Sequence, residues 1–243
     1  MVIPVMKAVI LGAGRGTRLR PLTNYINKIL IPVYDKPVVQ HALEVAKKAG
    51  ISQIALVVQE RELDWWTKKV VYFEDDLSLS ITVLANDKWA TAGMAGAVYI
   101  AKDFVGQDNF VVIPGDNAFS EDLSSTLNRF ESGAMVHKYW VDDPSRFGVA
   151  VMNDKEEVID IIEKPKNPPS NWALMSPHVF DYRAFQYIEE SNKSERGEYE
   201  ITDILKRYMK DGELQTPLLP GKIFDIGDFD SLLEASNFFK DNT

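Results

Sequence analysis

The sequence predicts an α/β domain with a mixed, mostly parallel central sheet and antiparallel additions. Two observations carry that prediction. In the first half, short aliphatic runs (Ala8 to Leu11, Ile54 to Val58, Ile81 to Leu84, Phe110 to Ile113) alternate with other segments, several of helical spacing, as repeated βαβ units do. In the second half, Met135 to Val141, Val149 to Met152 and Val158 to Ile162 follow one another with only turns between, the pattern of antiparallel strands.

Taken in order, the strand Ala8 to Leu11 runs into Gly12-Ala13-Gly14-Arg15-Gly16-Thr17-Arg18-Leu19-Arg20-Pro21, where glycines let backbone N–H groups close on an anion. Ile29 to Val33 is apolar but broken by Pro32, so an extended passage is expected. Val38 to Ala49 is helical and stops at Gly50; Asp64-Trp65-Trp66 lies in a polar segment with no assigned element. Thr91 to Ala97 opens a helix whose small residues leave room for close packing or binding at its start. Phe110 to Ile113 is the clearest buried strand, and Asp116 follows its C-terminal end, where open α/β sheets bind ligands. Pro165 to Pro169 reads as a short loop. Helices over Tyr182 to Glu190 and Thr202 to Lys210, a strand over Leu214 to Leu219, a turn at Phe224 to Asp228 and a last helix over Ser231 to Lys240, capped by Asp228 or Asp230, complete the chain. With no repeat or linker, one domain over 1–243 is expected.

Composition narrows the function. A chain of 243 residues with 45% hydrophobic content can bury a full core, and it has no apolar run near the ~20 residues of a membrane span and no signal-peptide pattern. A soluble, cytoplasmic protein is the expectation. Lacking cysteine, it has no disulfides, thiolate catalysis or thiolate zinc sites, which leaves carboxylates, lysines, arginines and three histidines. Hard metal ions suit such a set. A formal net charge of −9 argues against a nucleic-acid polymer or an anionic membrane as partner. Arg15, Arg18, Arg20 and Lys28 together would form a locally positive cleft for a small anion.

The glycine turn matches neither of two common phosphate motifs. Thr17 stands where a dinucleotide fingerprint needs glycine or alanine, and Thr17-Arg18 where a P-loop needs glycine-lysine. Asp116 and Asp225 each lie close to a glycine in short turns after apolar runs; two such carboxylates would hold Mg²⁺, which takes one or two carboxylates plus substrate phosphate oxygens. Lys164 precedes Pro165, which restrains it to extended backbone. His41, His137 and His178 show no ligand spacing.

An ordered series of motifs resembles the sugar nucleotidyltransferases, and most of all the glucose-1-phosphate thymidylyltransferases. The series is Gly14-x-Gly16-Thr17-Arg18-Leu19-x-Pro21, then Lys28 with Ile31-Pro32-Val33-Tyr34-Asp35-Lys36-Pro37, Gly115-Asp116-Asn117, Phe147-Gly148-Val149, Glu163-Lys164-Pro165, Arg196-Gly197-Glu198-x-Glu200-Ile201-Thr202-Asp203 and Asp225-x-Gly227. The resemblance implies a Rossmann-like three-layer nucleotidyltransferase fold, with a nucleotide-binding half over about 1–118 and a sugar-binding half over about 119–243. It implies Mg²⁺-dependent transfer of a nucleoside monophosphate from an NTP, with dTTP or UTP favoured, onto a hexose 1-phosphate, with glucose 1-phosphate favoured. Nucleotide-binding positions are then Leu11, Gly14, Gly16, Thr17, Arg18, Asn86, Gly93 and Asp116; sugar-phosphate positions are Gly148, Glu163, Lys164 and Arg196. Arg18, Lys28 and Lys164 carry catalysis, and Asp116 and Asp225 hold the metal. A sugar phosphate, with a second pKa of ~6, is already largely dianionic, so no general base is required.

Several residues depart from the family pattern. Ile29 and Asn86 stand where the thymidylyltransferases usually carry base-reading glutamines, leaving the base open, and Met175-Ser176-Pro177 replaces a small pair near the sugar. The C-terminal extension that some members use for assembly and feedback is not expected, and homo-oligomer formation is left open. These departures motivate one alternative, a non-catalytic nucleotide-sugar sensor or assembly subunit of the same fold.

Overall fold

The computed structural model describes residues 6–85, 87–90 and 92–242; Asn86 and Thr91 lie outside the described residues. The first half contains β1 (Met6–Leu11), β2 (Pro32–Val33), β3 (Lys36–Pro37), α1 (Val38–Lys48), β4 (Gln53–Val58), α2 (Leu63–Leu77), β5 (Ser80–Ala85), α3 (Asp87–Ala90), α4 (Gly93–Tyr99), α5 (Lys102–Val105) and β6 (Asn109–Pro114). Then come β7 (Asn117–Phe119), α6 (Ser124–Leu127), β8 (Ala134–Trp140), β9 (Gly148–Met152), β10 (Val158–Glu163), β11 (Trp172–Phe180), α7 (Arg183–Glu190), α8 (Ile201–Lys210), β12 (Leu214–Gln215), β13 (Ile223–Asp225) and α9 (Phe229–Asp241).

Nine strands form one sheet in which β10-β9-β11-β6-β1-β4-β5 run side by side, with β8 on β11 and β12 on β8. The pairs β6–β1, β1–β4 and β4–β5 are parallel, whereas β11 is antiparallel to β6, β8 and β9. Alternation along each strand sorts the core into two layers. Ala8 and Ile10 of β1 face one side with Trp66 of α2 and Ala235 of α9. Val9 faces the other with Val98 of α4, Phe185 of α7 and Leu205 of α8. The result is three-layered, as the resemblance implied.

The chain differs from the sequence expectation in several elements. Ile29 to Val33 is less extended than expected, because Lys28–Leu30 forms a 3₁₀ turn capped by the Asn27 side chain. The Trp-bearing segment belongs to the fifteen-residue α2, anchored by Trp66, Val70 and Leu77. Leu214 to Leu219 contributes only the two-residue β12, with an isolated bridge at Leu218. Phe224-Asp225 is strand rather than turn, because β13 pairs with β7. Finally, β11 was not foreseen at all. It is the central antiparallel strand, and a register shift between Met175 and Val179 accommodates Pro177.

That shift positions the site. On one edge of β11, Ala173 and Leu174 pair with β9, while His178 to Phe180 pair with β6. The strand edge is left open between them, at Met175 to Pro177. Among the described residues no helix is long and apolar enough to cross a membrane.

Candidate active site

The site grows from the C-terminal ends of β1 and β6. Leu11 and Pro114 are register partners there. The Gly115 N–H donates to Leu11 O at 2.8 Å and the Gly12 N–H to Val57 O at 2.7 Å, so both loops leave the sheet at one edge. Close approach explains the glycines: a Cβ on Gly12 would stand 2.6 Å from Ile29 Cδ1, and one on Gly115 would stand 3.0 Å from Leu11 O. Ile29 is thus a buried floor beneath the loop.

Pairing of β13 with β7 brings the two aspartates together. Asp225 is the register partner of Asn117, and the Ile226 N–H donates to Asp116 O at 2.9 Å. Lys28 Nζ, nearly buried, donates to Asp116 Oδ2. Burial and then the charge of Asp116 push the Asp225 carboxyl above the ordinary carboxylate range, although Lys28, Arg18 and Arg146 oppose this. Arg18 Nη1 lies 3.3 Å from Asp228 Oδ2, and Arg146 Nη2 3.9 Å from the same oxygen. Asp228 also accepts from the Ser231 N–H at the start of α9 in a capping box, which fixes it.

Two cavities open on this cluster. One, of about 380 Å³, is bounded by Leu11, Gly14, Lys28, Gly93 and Asp116. The second, of about 500 Å³, is bounded by Arg146, Gly148, Glu163, Lys164 and Thr202. Arg18 and Asp225 line both, so the carboxylate cluster is the junction.

The expected nucleotide and sugar-phosphate positions therefore fall largely on separate sides of one junction. Some do not. Gly16, Thr17 and Arg196 line neither cavity, and Asn86 lies outside the described residues. Gly16 instead holds a left-handed φ of 59° at the turn, with Thr23 Oγ1 donating to its carbonyl at 2.8 Å. Arg196 is engaged by Glu163, Glu198 and Glu200 at 3.3, 2.7 and 3.4 Å. Arg15 and Arg20 do not join Arg18 and Lys28, so the expected four-residue positive cleft is split in two. Lys164 is not extended: its φ is 43°, left-handed, and its N–H donates to Phe147 O at 2.9 Å. Proline disfavours the right-handed helical region for its predecessor and leaves this one accessible, at a cost of about 1 kcal/mol or more.

Sequence reasoning missed four contributors. Arg146 and Asp228 complete the charge cluster, and only their closeness to Phe147-Gly148 and Gly227 signals them. Among the described residues, His178 Nδ1 and Thr202 Oγ1 are buried without a hydrogen-bond partner at the wall of the larger of these two cavities. Nothing in their local sequence marks that; it depends on β11 and α8 converging.

Among the described residues no group of three or more His, Cys, Asp or Glu converges as a closed metal cage. The donor set at Asp116 and Asp225 is of another kind. Two crowded carboxylates, one with its ionised form disfavoured by burial and by the other, suit a hard cation that completes its shell with substrate oxygens.

The chain matches the nucleotidyl transferase family over residues 7–242. It is 37% identical over 240 residues to a glucose-1-phosphate thymidylyltransferase of Neisseria meningitidis, covering 96% of this chain and 82% of that one. It is likewise 37% identical to the low-salt glycan biosynthesis nucleotidyltransferase Agl11 of Haloferax volcanii, covering 95% of this chain and 65% of that one. A solved structure from Bacillus anthracis, provisionally assigned as a glucose-1-phosphate thymidylyltransferase and in complex with sucrose, superposes with a TM-score of 0.89 at 37% identity, covering 97% of this chain and 96% of that one. By the span of the match, the identities and the shared three-layer fold, the chain belongs to the nucleotidyl transferase family, among its members of the glucose-1-phosphate thymidylyltransferase type.

Proposed function

We propose that this protein joins an NTP, with dTTP or UTP favoured, to a hexose 1-phosphate, with glucose 1-phosphate favoured, and releases pyrophosphate. The observation that carries the reading is the junction of the two cavities at Arg18 and Asp225, with Lys28 on Asp116 beside them. Nucleotide on the Gly14 side and sugar phosphate on the Gly148 side would meet there. The chain acts as one domain whose halves, about 1–118 and 119–243, each supply most of one substrate's walls and part of the other's.

In the reaction a phosphate oxygen of the sugar phosphate attacks the α-phosphorus, a new P–O bond forms, and the α–β bridging P–O bond breaks in line. Arg18 and Lys28 neutralise charge gathering on the α-phosphoryl oxygens, and Lys164 does the same for the incoming phosphate. Asp116 and Asp225 would hold Mg²⁺, which supplies Lewis-acid stabilisation of the phosphates when bound. Glu163 and Gly148 face the sugar, and Arg196, once released from Glu163, Glu198 and Glu200, its phosphate.

A matrix of dATP, dCTP, dGTP, dTTP, UTP, ATP and GTP against glucose, galactose and mannose 1-phosphates, read as pyrophosphate, tests the proposal. Release with dTTP or UTP and glucose 1-phosphate is expected. Nucleotide binding with no release in any cell of the matrix would establish the sensor reading in its place.

A further inference from the structure

Arg15 and Arg20 belong to the same loop as Arg18, yet they turn away from the catalytic cavities. With Arg61, just after β4, they border a separate cleft of about 680 Å³, polar for most of its surface, that shares no lining residue with the two catalytic cavities. The loop 13–28 is the wall between: Gly14, Arg18 and Lys28 face one side, and Arg15, Arg20 and Asn27 the other.

The charges of this cleft are unbalanced. Among the described residues Arg15 and Arg20 form no ion pair or side-chain hydrogen bond. Arg61 has only a 4.0 Å contact to Glu62. Glu62 is the one carboxylate in the lining, and it accepts from Asn27 Nδ2 at 2.6 Å. Asn24 and Gln59 carry amide N–H groups that can donate hydrogen bonds to an oxyanion, whereas the Thr23 hydroxyl already donates to Gly16 O. Three arginines lining one cleft in a chain of net charge −9 are a local exception with a use, because planar N–H forks match phosphoryl oxygens two at a time.

We propose that this cleft is a second phosphoanion site, behind the loop that cradles the nucleotide, which takes a small phosphate or diphosphate group on Arg15, Arg20 and Arg61. Its occupant is either the pyrophosphate leaving group of the reaction proposed above or the phosphate of a separate small effector. The site rests on that reading only for the first of these.

Equilibrium dialysis with labelled pyrophosphate on the full chain tests it. Wild type should bind two equivalents, Lys28→Met one, and Arg20→Gln/Arg61→Gln one, with at least tenfold weaker binding at the lost site. Both arginines are exposed, and an unchanged thermal midpoint confirms that the variant folds. Competition by inorganic phosphate at the site that survives in Lys28→Met marks a monophosphate effector; displacement by pyrophosphate alone marks the leaving group. One equivalent in wild type that the double arginine variant retains, or two undiminished in that variant, overturns the proposal; a single wild-type equivalent that the double arginine variant loses leaves the arginine site standing and counts against the catalytic reading. If Lys28→Met keeps both equivalents and no NTP is turned over, the catalytic reading fails while the arginine site stands.

Discussion

Arg18 lies against the bare α-carbon of Gly227: a Cβ there would stand 2.5 Å from Nη2 and 3.0 Å from Cζ of the guanidinium. Gly227 is not left-handed, so absence of a side chain, rather than backbone freedom, is what the position requires. Asp228 then holds Nη1 at 3.3 Å. The first prediction follows. In Gly227→Ala the guanidinium, being the flexible end of its side chain, moves and the fold does not. The kcat for pyrophosphate release should fall by about tenfold or more, in line with losing part of one charged donor, with the thermal midpoint held. A variant that keeps wild-type kcat would show that this placement of Arg18 is not the working one.

Asp116 and Asp225 make a second pair of expectations. Asp116→Asn and Asp225→Asn should each lower turnover by roughly 100-fold or more, and a chelator should abolish wild-type activity until Mg²⁺ is returned. Stability should separate the two variants. Asp116 is paired directly with Lys28, so its amide removes the carboxylate that contacts a nearly buried ammonium and lowers the melting temperature. Asp225 sits beside a like charge, so Asp225→Asn should melt no lower than wild type. Equal losses of stability in both would contradict this arrangement of charges.

The parallel half was legible because fully buried strands leave continuous aliphatic runs, such as Phe110 to Ile113. The strand β13 was not, because three residues become a strand only through a partner, β7, more than 100 positions away. Pro177 hid β11, and the exposed Trp65 and Tyr72 blurred the apolar stripe of α2, which has no side-chain cap to announce it. At the site, the motifs named the residue types, and Asp116 and Asp225 do converge. Direction was beyond reach. Arg15, Arg18 and Arg20 share a loop, and a single 3₁₀ turn over Thr17–Leu19 sends the middle one toward Gly227 and its neighbours to the other side.

Gly93 carries a stricter requirement than Gly227. Its φ is 89°, and a Cβ would meet Tyr199 O at 2.7 Å. Here the obstacle is backbone, held by hydrogen bonds from the Tyr199 N–H to Ala92 O and from the Ala95 N–H to Tyr199 O. Gly93→Ala should therefore push the segment carrying Arg196 and Glu198 off the start of α4, costing about 1–3 kcal/mol in denaturant unfolding and raising the KM for both substrates. Wild-type stability with wild-type KM would mean that the loop yields freely.

Mild acid should draw on the stability that neutral buried histidines give this fold. His41 and His178 are buried, and burial is the main cause that lowers their pKa values to about 4 and about 3; His137 is lowered for the same reason. In the unfolded chain each returns to about 6.5. Below that pH the unfolded state binds protons that the folded state refuses, so unfolding free energy falls as pH drops from about 6.5, and the contribution of His41 is spent near pH 4. For His41 alone the full span is about 3 kcal/mol. Glu62, Asp203 and Asp225 have raised values and act in the opposite sense, so the total slope does not isolate the histidines. One substitution does. His41 packs on Phe239 with ring centroids 4.5 Å apart and has a hydrogen bond with the Val33 backbone, while its Nε2 has no partner among the described residues. His41→Leu keeps most of the volume and removes the titration. Urea unfolding between pH 7.5 and 5 should show a shallower pH dependence for His41→Leu, by close to one proton at the lower end. An unchanged slope would mean that His41 is protonated in the folded state and that its burial does not hold it neutral.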